Sequence, residues 1–222
     1  MMIELSFAEF AFAALATEFD LRKKIAEQQV VKWKWASSHV FDPKPLYLER
    51  NGYAPGRMLK QKPSEANGCV EYGFDVRRRI AVERSYNEVG FYETFLKWSE
   101  TLIESAHYDC GPDKDPINVE FIEVEAGKVV RSISSAVNGC CIENYHWMGS
   151  QLVAVHQATA ERTDSGTPKP VLNCIIKCEY SDSGVLQRIT RSFCDRTAES
   201  RIASVTTPFE RVGNRIRRKM YR

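Results

Sequence analysis

The chain has 222 residues, of which 43% are hydrophobic and 27% are charged, and this composition excludes wholesale disorder. It is long enough for one domain with a substantial core, or for one domain with a helical appendage. The formal net charge of +2 hides an asymmetry, because the last twelve residues hold six basic and no acidic residues and leave the remainder at −4. A mildly acidic body excludes a protein that binds nucleic acid over its whole surface.

The cysteines and the N-terminus predict a cytoplasmic protein. Seven cysteines is an odd number, and their irregular spacing indicates reduced thiols in a reducing compartment. The apolar N-terminus lacks the basic residues of a signal peptide and carries Glu4 and Glu9 instead. No apolar run approaches the length that spans a bilayer.

The first segment, residues 1–36, is predicted to be helical. Apolar residues recur at close to helical spacing from Ile3, which predicts a helix to about Lys32 with a break near Asp20. Trp33 and Trp35 then alternate with lysines, a pattern that favours a strand. Two prolines, at positions 43 and 45, end any regular element.

From Leu46 onward, short β-like runs are separated by turn residues. Turn points at Gly56, Arg78, Glu100, Gly127, Gly149 and Gly184 are 22, 22, 27, 22 and 35 residues apart, and the two longer intervals contain turn-rich or polar insertions. An interval of 22 residues fits two strands and two turns, so neighbouring units would have to pair. The sequence therefore predicts a mainly β (α+β) fold, with an N-terminal helix and an antiparallel sheet of repeated β-hairpins. The sheet domain would span residues 46–210 and a basic tail residues 211–222.

Several of these units place an aromatic residue four positions before the turn point and an aliphatic residue two or three positions after it. The clearest copies start at Phe74, Tyr145 and Tyr180. This outline resembles the YD (Rhs) repeats of bacterial polymorphic toxins and the hairpin repeats of small antitoxins related to MORN repeats. The resemblance covers a degenerate array from Leu46 to Phe193. It implies a small, stand-alone β-sheet protein of the kind encoded beside toxins as immunity factors.

Neither a metal site nor a cofactor is predicted. Cys174 and Cys178 would lie on one face of a strand, roughly 13 Å apart from the strand rise alone, which is too far for one zinc ion. Their apolar neighbours favour buried thiols, and the same interpretation covers Cys140, Cys141 and Cys194. The aspartates at positions 109, 113 and 115 fit a turn and lack the spacing of a calcium loop.

No catalytic motif is present in the sequence, so we predict that the protein is not an enzyme. One alternative is a hydrolase that uses Cys110, which lies close to His107, or Cys141. The region of His107 and Cys110 is turn-like and has no oxyanion-type glycine signature, so a surface loop is the simpler interpretation.

A second alternative is nucleic-acid binding. Three consecutive arginines, Arg77, Arg78 and Arg79, lie near aromatic residues that could stack on bases. The basic tail adds Arg215, Arg217 and Arg218. The simpler interpretation is a solvated strand face, in which these charges and that of Arg84 pair with Glu71, Glu83 and Glu88.

The leading hypothesis is a non-catalytic immunity protein that blocks a cognate toxin by direct protein–protein interaction. Acidic residues of one predicted strand, Glu120, Glu123 and Glu125, would steer association with a basic toxin. His146 and Trp147 in the predicted hairpin are further candidates for partner contact, with His146 on the face opposite Tyr145 and Trp147. Exposed sheet edges could also pair between two copies to give a homodimer.

Overall fold

The computed structural model describes residues 2–162, 168–194, 201–212 and 215–218. Three helices lie in these ranges: α1 (Met2–Leu15), α2 (Phe19–Gln29) and α3 (Tyr47–Arg50). The predicted N-terminal helix is therefore present as two helices. Its break lies at residues 16–18, where the amides of Thr17 and Glu18 bond back to Ala14 and Leu15.

Strands dominate the described residues and confirm the predicted mainly β fold. Consecutive strands pair with each other from the first to the last, so the sheet order is the chain order. The strands are β1 (Lys32–Ala36), β2 (Val70–Phe74), β3 (Ile80–Tyr86), β4 (Phe91–Trp98), β5 (Leu102–Tyr108), β6 (Pro116–Glu125), β7 (Lys128–Ala136), β8 (Gly139–Met148), β9 (Gln151–Arg162), β10 (Pro168–Tyr180), β11 (Leu186–Cys194), β12 (Arg201–Val212) and β13 (Arg215–Arg218).

Five of the six predicted turn points connect consecutive antiparallel strands. Gly127, Gly149 and Gly184 have φ values of 75°, 57° and 76°, a backbone region that suits glycine. Arg78 reaches the same region with φ 63°. Asp75 supports that turn, because its carboxylate accepts hydrogen bonds from the amides of Arg77 and Arg79 at 2.9 and 2.8 Å.

The sixth turn point, Gly56, is not part of a hairpin. Residues 37–69 contain α3 and one isolated bridge, Ala36 to Met58, but no strand. Prolines at positions 43, 45, 55 and 63 remove backbone donors from this segment, which explains why the expected strands are missing. Gly56 lies against Ser38 so closely that a Cβ atom would meet its backbone nitrogen at 2.7 Å.

The chain forms two compact units. The first contains residues 1–43, 55–124 and 133–137, and the second contains residues 44–54, 125–132 and 138–222. In the first unit, α1 and α2 form a helical layer on one face of the strands. Phe19 of α2 contacts Phe95 and Tyr108, and the Tyr108 hydroxyl donates to the Leu15 carbonyl at 3.3 Å.

In the second unit, the segment 44–54 supplies a buried arginine, Arg50, to one face of the strands. Tyr145, Val155 and Ile176 pair across β8, β9 and β10 and are buried on that face. Side chains alternate along a strand, so the residues between these point to the opposite face. There, His146 and His156 are exposed to solvent.

Candidate functional site

The helical layer of the first unit directs charged residues at the strands and exposes several apolar ones. Leu21 and Ile25 lie one turn apart on α2 and are 59% and 47% exposed. On α1, Phe7 and Phe10 are 58% and 77% exposed, although Ala8, Phe12 and Leu15 are buried. Large exposed apolar residues that occur together on one layer are the usual mark of an interaction surface.

Ion pairs attach α2 to the strands beneath it. Arg22 bonds to Glu18 at 2.7 Å and to Glu104 of β5 at 2.6 Å. Lys23 reaches the fully buried carboxylate of Glu93 at 3.3 Å. Phe19 and Ala26 share the inward side of α2 with these charged side chains. Leu21 and Ile25 remain on the outside.

Arg84 of β3 extends this network. Its guanidinium bonds to Glu27 of α2, to Glu71 at 3.3 Å and to Glu93 at 3.1 Å. It also lies over the Trp33 ring, 4.7 Å from the centroid. The pairing of Arg84 with Glu71 was predicted, but the predicted solvated strand face is wrong for this arginine, whose side chain is only 16% exposed.

A cleft of about 190 Å³ lies between α2 and the strands β4 and β5. Leu21 and Ile25 form one wall, and Phe95, Lys97 and Glu104 of the strands line it as well. The cleft thus combines apolar walls with charged residues, and it adjoins the exposed apolar residues of α2. Its lining suits contact with side chains of another protein.

A polar set on the other face of the first unit has the atom order of a serine hydrolase triad. His39 Nε2 lies 3.4 Å from the Ser85 hydroxyl, and His39 Nδ1 lies 3.2 Å from Glu83. The hydrogen bond with Glu83 raises the pKa of His39, although burial acts against it.

Acyl transfer also requires backbone donors aimed at the oxyanion. Ser85 lies within β3, opposite Val70 and Tyr92, where its amide belongs to the sheet ladder. Nearby, the Val40 amide donates to the Tyr72 hydroxyl at 3.1 Å. We therefore assign this set a structural role, in which it fastens residues 37–43 to the sheet.

The second unit contains a buried charged cluster. Arg50 bonds to Glu143 at 3.1 and 3.3 Å and to the Tyr145 hydroxyl at 3.4 Å, and the Tyr145 hydroxyl also donates to Glu143. Burial acts to raise the pKa of Glu143, but the charges of Arg50 and Lys44 outweigh it and hold that pKa below its ordinary value. Burial and the Glu143 charge raise the pKa of Tyr145. The cluster anchors the segment 44–54 and leaves no group exposed to a ligand.

The predicted acidic residues do not share one face. Glu120 is buried, and strand alternation places it on the face opposite Glu123. Glu125, at the end of β6, is exposed. Their proposed role in steering a partner stays a prediction.

The two residues predicted from the hairpin also lie on opposite faces. His146 is exposed beside His156. Trp147 is half-buried, donates from Nε1 to the Val129 carbonyl at 2.8 Å and lies under Lys128. Contacts with β7 account for Trp147, whereas the described contact of His146 is with His156 alone.

The arginines proposed for nucleic-acid binding differ in exposure and pairing. Arg77 and Arg78 are exposed on the β2–β3 turn, and Arg79 pairs with Asp75 at 2.8 Å. In the tail, Arg215, Arg217 and Arg218 belong to β13, whose backbone pairs with β12. The side chains of these three lie outside the described residues.

Four of the five cysteines that were predicted to be buried are buried, and the fifth, Cys141, is half-buried. Cys140, Cys174, Cys178 and Cys194 are buried, and burial raises the pKa of Cys178 to about 11. Cys110 is half-buried and accepts a hydrogen bond from Asn87, while Cys141 accepts one from Gln157. In the part of the chain that the structure describes, no three His, Cys, Asp or Glu side chains are arranged around a common metal position.

A comparison with models of known protein families finds no match, and neither does a comparison with curated proteins. Among the described residues, no helix has the length and apolar character needed to cross a membrane.

Proposed function

We propose that this chain is a non-catalytic protein that binds another protein through its helical layer. The carrying observation is that Arg22 and Lys23 of α2 bond to the strands while Leu21 and Ile25 of the same helix are exposed to solvent. Exposed leucine and isoleucine on a helix that is firmly attached by ion pairs are best explained by a partner that covers them.

The phenylalanines of α1 add to the exposed apolar surface of the helical layer. A phenylalanine presents about 150–250 Å², so Phe7 and Phe10 at 58% and 77% exposure leave on the order of 200–300 Å² in contact with water. Covering that area alone contributes roughly 5–8 kcal/mol before the costs of association. Leu21 and Ile25 add to it, and the cleft along α2 offers a recess for a side chain of the partner.

In its most specific form, we propose that the protein is a cytoplasmic immunity protein that neutralises a cognate bacterial toxin of the polymorphic or Rhs type by direct binding. The hairpin array and its resemblance to antitoxin repeats support this form. Glu125 and the other acidic residues of the body would steer a basic toxin domain toward the surface.

Co-expression tests this function. The product of the neighbouring open reading frame is expressed alone and together with this chain, and growth is measured. We expect growth arrest by the neighbour and recovery in the presence of this chain. A neighbour that arrests growth regardless of this chain, and that forms no complex with it, would contradict the proposal.

Nucleic-acid binding is the competing proposal, and the exposure of Arg77 and Arg78 favours it. It predicts affinity that falls steeply with salt concentration. Single-stranded DNA and RNA are the probes, with R77A/R78A as the test variant and R188A, an exposed arginine of β11, as the control. Salt-insensitive binding, or binding unchanged by R77A/R78A, would remove this alternative.

A further inference from the structure

The outer face of β8 and β9 in the second unit presents two histidines side by side. Asn144 of β8 lies opposite His156 of β9, and His146 lies opposite Ala154, so the two imidazoles are diagonal neighbours on one face. Both histidines are exposed to solvent. Their ring centroids are 4.4 Å apart.

These two imidazoles differ from the other histidines of the chain. His39 bonds to Glu83 and Ser85, and His107 bonds to the Thr94 hydroxyl at 2.7 Å. By contrast, His146 and His156 contact each other and have no hydrogen-bond partner among the described residues. Their ring nitrogens are therefore available to a ligand.

We propose that His146 and His156 form a two-imidazole site for a divalent first-row transition metal ion, such as Ni²⁺, Cu²⁺ or Zn²⁺. Imidazole suits these metals, and two nitrogens that each lie about 2.0–2.1 Å from one ion are roughly 3.3 Å apart in tetrahedral geometry. Rotation of two rings already in contact can reach that separation. The backbone ladder holds the two Cα atoms in place, which lowers the entropic cost of binding.

A lysine of the adjacent strand lies on the same face as the two imidazoles. Lys177 lies opposite Ala154 on β10 and therefore flanks the pair. Its charge repels a bound cation, so removing it should strengthen binding. Water, or the amide oxygen of Asn144, would complete the coordination sphere.

The test is a Ni²⁺ titration of the full chain at pH 7.5, in competition with a chromophoric chelator. The variants are H146N, H156N and K177Q, with H39Q as the control histidine substitution. All keep seven cysteines, so metal bound by thiols adds the same background to each. Both histidines are exposed, and circular dichroism checks that each variant is folded.

We expect one Ni²⁺ per chain at this site. Loss of a residue that only orients a metal ligand costs about 10–100-fold in metal affinity. H146N and H156N each remove a ligand itself, so each should weaken binding at least about tenfold. K177Q should strengthen it, and H39Q should leave it unchanged. Equal affinity in wild type, H146N and H156N, or no wild-type binding below about 1 mM, would overturn the site.

Discussion

At the scale of single residues, the second unit contains a buried ion pair. The Arg50–Glu143 pair is almost completely buried, with side-chain exposures of 1% and 6%. A carboxylate removed from such a pair leaves a buried guanidinium without its counter-charge, which is far more costly than loss of a surface ion pair. Neither residue was predicted from the sequence, because the two are 93 positions apart and neither lies in a motif.

Glu143→Gln should therefore lower the free energy of unfolding by about 3–5 kcal/mol. Glu179→Gln is the matched control, because Glu179 pairs with Arg188 on the surface at 52% and 55% exposure. That substitution should cost less than about 1 kcal/mol. Urea unfolding of both variants measures the difference, and equal small effects would show that Arg50 does not depend on Glu143.

Two histidines of the first unit should give opposite pH dependences. Glu83 raises the pKa of His39, so the stability from this pair is present below the unfolded pKa of about 6.5 and is lost as pH rises through the raised value. Burial lowers the pKa of His107, so its contribution is lost as pH falls below about 6.5.

We predict that H39Q removes the contribution of His39, which rises as pH falls, and leaves that of His107. The variant should therefore lose stability more steeply than wild type between pH 7.5 and 5.5. Wild type should show a flatter profile over this range. Thermal unfolding at several pH values measures both. An H39Q profile parallel to that of wild type would show that His39 and Glu83 are not coupled.

At the scale of elements, hairpin turns were the most predictable feature. Spacing alone located the turns at Arg78, Glu100 and three glycines, because a turn must return the chain after each strand. The turns at Arg78 and Glu100 are stabilised by neighbouring side chains, which spacing cannot reveal. Asp75 accepts two backbone amides at the first of these turns, and the Ser99 hydroxyl accepts the Leu102 amide at 2.9 Å at the second.

Asp75→Ala should destabilise the protein by about 2–3 kcal/mol, because two amides and the Arg79 side chain lose their acceptor. Val76→Ala in the same turn is the control, since Val76 is 78% exposed and should change stability by less than about 0.5 kcal/mol. Urea unfolding compares the two. A D75A variant as stable as V76A would mean that the turn forms without this carboxylate.

Helix α2 shows why the candidate site was harder to predict than the fold. Its apolar residues have helical spacing, and that pattern normally indicates the buried face. In the structure, Phe19 and Ala26 do lie inward. They share that side with Arg22 and Lys23, which bond to Glu104 and Glu93 of the strands. Those partners are distant in sequence, so the exposure of Leu21 and Ile25 emerges only from the folded chain.

At the scale of the whole molecule, the two units present different surfaces. The first has exposed apolar residues on its helical layer, and the second has an exposed polar face with two unpartnered histidines. Composition predicted a folded protein with a mildly acidic body, and the spacing of turn residues predicted a mainly β fold. It could not locate these surfaces, because exposure depends on which side chains meet across the sheet.

The most direct measurement is the affinity of this chain for the product of the neighbouring open reading frame, determined by isothermal titration calorimetry. Wild type is compared with L21E/I25E and with V89E, which adds a charge at a valine that is 81% exposed on the β3–β4 turn. If Leu21 and Ile25 are hot spots worth about 2 kcal/mol each, L21E/I25E should weaken binding at least about 100-fold while remaining folded. V89E should bind as wild type does. Wild-type affinity in L21E/I25E would contradict the claim that the helical layer is the binding surface.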